Sequence, residues 1–300
     1  MFKKNNNVIL KTLLISILMI CLSSFFFAIH DTLLKYISSG KLGNIKWYHH
    51  ITIGGPFGIA LILFLSFFYG GIKKNIILDS YKIPVLRGIL SIANFLMAFI
   101  ALKYISLSIF TTLILTLPFF LVIFSYLILK ETISRTIIFS LFVGFLGVVV
   151  ILRPGFNIIT PYILFPIAMS AISGFNMILV NKYKEVASPY GFAFYSIVFP
   201  FFIGLIFFIN DPFFPGLKNS FLIIVTWLNG VLGMFFLIYA YHRSQSYSNK
   251  IAPYIYTQLI WAVIFGYFVY DELFDIYTFI GSFLIVICGI IVLKISKNKP

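Results

Sequence analysis

Runs of about 20 apolar residues recur from one end of the chain to the other, and that is the length a helix needs to cross the hydrocarbon core of a bilayer. The first of them, LLISILMICLSSFFFAI (13–29), lacks the strict alternation of a barrel strand. Lipid admits only helices and closed barrels, because a backbone polar group finds no water there. The chain therefore reads as an all-α polytopic membrane protein. Composition agrees where it decides the matter: 10% of the 300 residues are charged, against roughly 25% in soluble domains. The start MFKKNNN has the charge of a secretory signal, but the run after it exceeds a signal core and meets no small-x-small site, so a retained first helix is expected.

Breaks at charges, Gly and Pro place ten spans at 9–37, 45–69, 83–104, 107–129, 134–152, 160–181, 190–209, 220–242, 250–270 and 275–294. The formal net charge of +14 is spread over the short connections and forms no basic face, which argues against nucleic acid as a partner. If the N-terminus is cytoplasmic, sixteen Lys and Arg lie inside and six outside. The positive-inside rule then puts both termini in the cytoplasm. Cys21 and Cys288 both fall within spans and offer neither a disulfide framework nor a metal site.

The chain also repeats itself weakly. An apolar helix ends in Glu131 and a glycine-containing helix follows, with Gly147; the same order recurs with Glu272 and Gly289. Five spans per half is an odd number, so the halves, 1–155 and 156–300, are expected to lie in opposite orientations. Two inverted five-helix repeats are the architecture of alternating-access carriers.

The stretch LRGILSIANFLMAFIALKYISLSIFTTLILTLPFFLVIFSYLILKETISRTIIFSLFVGFLGVVVILRPG (86–155) resembles the EamA type of the drug/metabolite transporter superfamily. Arg87-Gly88, Ala101-Leu102, Pro118, Glu131, Gly144, Gly147 and Arg153-Pro154-Gly155 carry the likeness. In the second half, IAPYIYTQLIWAVIFGYFVYDE (251–272) is similar to the family's ninth span through Ala252-Pro253, Tyr256, Trp261, Gly266 and Glu272. The resemblance implies a ten-helix carrier of small organic solutes in the bacterial inner membrane, with no cofactor. Its partners would be a small-molecule solute and the lipid bilayer, with a proton or an exchanged solute as the coupling partner and a homodimer compatible with the same reading. Relatives carry Arg near the start of span two, where this chain has WYHH (47–50). Either His49 or His50 takes that place, exchanging a fixed cation for a group that titrates near neutrality.

Candidate substrate-binding residues follow from polar groups set against apolar runs. In FFFAIHDTLLKYIS (25–38), Asp31 and Lys35 stand at i,i+4 with the acid first, the favourable order for a pair on one helix face. They either anchor the outer mouth, or Asp31 faces a cavity as a gate, proton or substrate group. His49 and His50 are either wet interfacial residues or a vestibule lining. Asn94, Asn176 and Gln258 are buried amides that bond between helices or line the site. Tyr254, Gln258 and Trp261 share one face at i, i+4 and i+7. Glu131 and Glu272 read as carboxylates starting the next helix or as gating groups; Pro118 and Pro253 bend helices, either as hinges or to fit neighbours together. HExxH, CxxC, GxSxG and GxxxxGK[ST] do not occur, so no catalytic or metal residue is named. A secondary transporter of an amino-acid-like or adenosyl-type solute is the expectation; a membrane enzyme acting on lipid, or a non-transporting scaffold or channel, is the alternative.

Overall fold

The computed structural model describes residues 2–38, 45–104, 113–152, 160–244, 247–270 and 276–298. Its long helices are α1 (Phe2–Ser38), α2 (Trp47–Phe68), α3 (Lys82–Tyr104), α4 (Leu117–Leu129), α5 (Arg135–Leu152), α6 (Leu164–Lys182), α7 (Pro189–Asn210), α8 (Leu217–Arg243), α9 (Thr257–Tyr270) and α10 (Ile276–Asn298). Short turns of helix at Ile72–Ile76, Pro161–Ile163, Ser248–Ile251 and Ala252–Tyr256 link them, and no strand occurs among the described residues. The segments Lys11–Leu34, Trp47–Phe68, Pro161–Lys182, Pro189–Asn210, Leu217–Arg243 and Ser248–Val269 are long and apolar enough to cross a membrane. Leu117–Leu129 and Arg135–Val150 are shorter apolar helices.

Each helix shows one face to the bundle and one to its surroundings. On α1 the buried residues Leu13, Ser16, Ile20, Ser23, Ser24 and Ala28 recur at three- and four-residue steps, while Leu14 and Leu18 stay exposed. Small residues let helix backbones approach where no hydrophobic force drives association in lipid. The Ser23 hydroxyl uses that proximity to donate to the Gly233 carbonyl of α8 at 2.7 Å.

The helix pairings follow a rule. α1 packs on α8 and α3 on α6; α2 on α8 and α7 on α3; α4 on α6 and α9 on α1. Adding five to a helix number in the first of each couple, or subtracting it, gives the second. The remaining large pairings, α2 with α7 and α5 with α10, map onto themselves. Among the described residues the smaller pairings match less well: α7 packs on α8 more closely than α2 on α3, α9 meets α10 without comparable α4–α5 packing, and α6 packs on α8 whereas α1 and α3 make no comparable contact.

Helices α4 and α9 hold 13 and 14 residues, each too short to span alone at 1.5 Å per residue. Both begin at a break. The Thr116 hydroxyl donates to the Leu113 carbonyl at 2.6 Å and the Thr257 hydroxyl to the Tyr254 carbonyl at 2.6 Å. A serine from a distant helix reaches each break: Ser170 of α6 donates to Ile114 O at 2.9 Å, and Ser24 of α1 to Ile255 O at 3.5 Å. Hydroxyls thus take up carbonyls released where the helix is interrupted. The spacing from Thr116 to Thr257 equals that from Ile114 to Ile255 and from Glu131 to Glu272. Pro118 lies in the first turn of α4 and Pro253 at the start of the 3-10 turn before α9, so both proline sites coincide with breaks.

Connections join in two groups. On the side of the N-terminus, Tyr195 donates to Ile76 O, Asn181 to Tyr241 O, and His242 bonds Lys184 O. Glu131 belongs here, and differs from the sequence reading: it starts no neighbouring helix. It is 7% exposed and accepts from the backbone N–H groups of Ser248 and Asn249 at 3.1 and 3.0 Å. It therefore caps the short helix that leads into α9. Burial pushes its carboxyl above the usual range, against the hydrogen bonds of Asn249, Ser248 and Ser125, which pull it down. On the opposite side, Lys46 and Tyr48 both bond Asp211 Oδ2, tying the start of α2 to the end of α7. Those two hydrogen bonds hold the Asp211 carboxyl below the usual carboxylate range.

Two predictions follow from this packing. A Cβ on Gly54 would lie 2.5 Å from Trp227 Cβ, so Gly54→Val should lower the thermal midpoint of the solubilised protein by an overpacking cost of about 1–3 kcal/mol, recovered in part by adding Trp227→Ala. For Asp211, a depressed value means that the stabilisation is present above the unfolded-chain value and is lost as pH falls through the folded one. Asp211→Asn should lower the thermal midpoint slightly at neutral pH, where the stabilisation is present, and flatten the acid limb of its plot against pH.

Candidate functional site

The polar groups set against the apolar runs come together around the last third of α1, the first turn of α2, the first half of α8 and the first turn of α9. Asp31 tops the buried face of α1. Its Oδ2 accepts from Gln258 Nε2 of α9 at 2.8 Å and its Oδ1 lies 3.0 Å from His30 Nδ1. The Asp31 side chain is 48% exposed, so the bundle does not enclose it. Gln258 therefore bonds across the two halves of the chain, one of the two roles the sequence allows it. Lys35 lies on α1, but its side chain is outside the described residues, as is all of Glu272.

The two histidines of WYHH separate. His49 is 1% exposed. Its Nδ1 accepts from the Lys46 backbone N–H at 3.1 Å and its Nε2 lies 2.9 Å from Asp211 O. An acceptor Nδ1 leaves the proton on Nε2, which donates to that carbonyl, so His49 is a cap for α2 with both nitrogens in use. His50 points the other way. Its ring lies 6.4 Å from that of His30 and 5.3 Å, edge on, from Trp227 of α8, and its buried Nε2 has no hydrogen-bond partner among the described residues. His30 in turn lies against Gly230, where a Cβ would meet its Cδ2 at 2.9 Å.

Trp227 is a residue that sequence reasoning missed. It is 4% exposed, lies on Gly54 and Gly58, and stacks on Phe95 of α3 at 5.5 Å and 22°. Its signal was present in α2: His50, Gly54 and Gly58 follow at four-residue steps, a smooth strip that only a large flat partner fills. The buried indole Nε1 has no acceptor among the described residues. His30 stood in plain view in the opening motif, yet only its bond to Asp31 shows its place in the cluster.

The amides divide. Asn94 donates from Nδ2 to Ser173 Oγ of α6 at 3.0 Å, an interhelical bond, and its buried Oδ1 has no partner among the described residues. Asn176 is 3% exposed; its backbone carbonyl accepts from the buried Arg87 Nε at 3.1 Å, while its Oδ1 also lacks a partner among the described residues. A buried polar atom left unpaired costs about 1–3 kcal/mol, so these atoms and the Trp227 and His50 nitrogens are the places where a polar ligand would gain most. Tyr254 is buried in the 3-10 turn, so the face expected for Tyr254, Gln258 and Trp261 is interrupted between its first and second members. Trp261 packs edge on to Phe25 at 5.1 Å and stacks on Phe265 at 6.4 Å. Among the described residues no group of three His, Cys, Asp or Glu is placed to hold a metal ion.

Known proteins resemble this chain in fold and in sequence. A crystal structure of a protein, 14% identical, superposes with a TM-score of 0.77 over 96% of this chain and 98% of its own. An S-adenosylmethionine uptake transporter of Rickettsia prowazekii is 28% identical over 97% of this chain and 96% of its own length. A pseudopaline exporter of Pseudomonas aeruginosa is 23% identical, covering 94% and 97%. An uncharacterized transporter of Helicobacter pylori is 27% identical, covering 94% and 95%. The sequence model of the EamA-like transporter family matches residues 14–153 and again 160–294. Matched twice, and across nearly its whole length, the chain belongs to the EamA-like transporter family.

Proposed function

We propose that the protein is a secondary carrier of an amphipathic organic solute, of adenosyl or amino-acid type, working by alternating access across the bacterial inner membrane. Its two halves, 1–155 and 156–300, are inverted five-helix repeats, and both termini are cytoplasmic. The observation that carries this reading is the pairing rule together with its inequality between α6–α8 and α1–α3. If helices related by five exchange roles during transport, then α6–α8 and α1–α3 are the inner and outer gates. Here α6 meets α8, with Asn181 bonded to Tyr241 O and Ser244 Oγ, and the capped Glu131 secures the same side. The α1–α3 gate is open, in keeping with the half-exposed Asp31. The state is outward-facing.

In this reading the solute enters beside Asp31, which with Gln258 takes its positively charged or hydrogen-bonding group. His50, Trp227, Asn94 and Asn176 offer the unpaired polar atoms further in, and the aromatic rings take the apolar body. Lys35, four residues on from Asp31, is a further candidate contact and Glu272 the counterpart of Glu131 in the repeat, both on sequence grounds, while Tyr254 supports the cluster from the buried 3-10 turn. Pro118 and Pro253 mark the hinges of α4 and α9. Uptake and export both occur among the named relatives, and the solutes in those names suit a cavity of sparse polarity. The chain carries out no catalysis in this scheme, and a proton or an exchanged solute supplies the driving force.

The test is uptake of labelled S-adenosylmethionine and of amino acids into proteoliposomes containing the full chain. Asp31→Asn should reduce transport at least tenfold while insertion and thermal midpoint are kept, with Gln258→Ala falling between. Wild-type rates in Asp31→Asn would remove Asp31 from the site.

A further inference from the structure

A cavity of about 440 Å³ lies on the side of the N-terminus, away from the Asp31 cluster. Its walls are Thr12 of α1, Tyr239, His242 and Arg243 of α8, Lys184 of the α6–α7 connection, and Pro189 at the start of α7. The volume is within the range of small-ligand sites, which run to about 300–1,000 Å³. Two of the six side chains are fixed cations and none is an acid. Glu185, next in sequence, is exposed and forms no part of the lining. Among the described residues neither the Lys184 ammonium nor the Arg243 guanidinium has an ion-pair or hydrogen-bond partner.

The walls are held in place. His242 Nε2 lies 2.9 Å from Lys184 O and 3.2 Å from Ala187 O. Facing two carbonyls, that nitrogen must carry the proton and donate. The bond pins the α6–α7 connection to the last turn of α8, so Lys184 and Arg243 are presented from two different elements across one space. The C-terminal end of α8 favours a cation in its last turn, which accounts for Arg243 but not for Lys184. Both residues stand at helix ends, the level at which lipid phosphates lie, and basic pockets between helices on the cytoplasmic side bind acidic head groups.

We propose that this cavity binds a phosphate group, with Lys184 and Arg243 as its cation partners and Thr12 and Tyr239 beside them. The phosphate belongs either to an acidic phospholipid whose tails lie along α1 and α8, or to a soluble phosphate anion. The site is separate from the transport cluster, so its test needs no transported solute.

Thermal midpoints of the full chain in neutral detergent would be titrated with phosphatidylglycerol, with phosphatidylcholine and with inorganic phosphate. Each Lys or Arg near a phosphate contributes about 1 kcal/mol, so removing two should raise the half-saturating concentration about thirtyfold. The double variant Lys184→Gln/Arg243→Gln tests that loss, and Lys184→Arg/Arg243→Lys should keep the response and show that folding is intact. Stabilisation by phosphatidylglycerol alone, lost in the Gln variant, supports the site with a lipid as its source. The same response to inorganic phosphate supports it with a soluble anion. Equal responses of the wild type and the Gln variant to every ligand would overturn it.

Discussion

In hydrocarbon a backbone carbonyl that leaves its helix has no water to turn to, and the architecture is organised around that constraint. Two helices, α4 and α9, are broken where a continuous span would be simplest. Each break survives because two hydroxyls meet its freed carbonyls, one from the same segment and one from a helix of the other half of the chain. Ser170 and Ser24 thus do more than fill space: they join each half to the discontinuous helix of the other. The 2.9 Å bond of Ser170 and the 3.5 Å bond of Ser24 are not equal, a difference that accompanies a bundle packed at α6–α8 and unpacked at α1–α3.

The same constraint explains how charge is tolerated beside the apolar runs. Asp31 is bonded by Gln258 and approached by His30 while half of its side chain stays exposed. A carboxylate next to lipid is costly unless paired or wetted, and this one has two side-chain partners. Glu131 meets the problem in another way. It is buried, and two backbone N–H groups stand where a cation was an open alternative.

Much of this was legible before any coordinates. Apolar runs and their breaks place most helix ends within a few residues, because length and hydropathy decide which segments suit lipid, but the expected spans 107–129 and 250–270 overlook the breaks before Leu117 and Thr257. Asp31, Gln258 and His50 stood out because polar groups are rare in such runs. What the sequence concealed were relations between distant segments. WYHH does not say which imidazole caps α2 and which faces Trp227, since the answer lies in Asp211 and Gly230, far along the chain. Trp227 read as one more aromatic among many until the glycine strip of α2 gave it a place. The Tyr254 face failed because a helical period was carried through a 3-10 turn, where residues advance by three per turn. Glu131 was assigned to the nearest helix start, whereas the N–H groups that it caps lie in the second half of the chain.

The central claim is that two pairings, α1 with α3 and α6 with α8, exchange between packed and open. Electron–electron distance measurements in proteoliposomes address it directly, with Cys21 and Cys288 replaced and spin labels at Tyr36 and Ile100 for one pair, and at Lys182 and Arg243 for the other. Addition of a transported solute should shorten the first distance and lengthen the second in the same fraction of molecules. Two distances that stay fixed, or that lengthen together, would contradict the account.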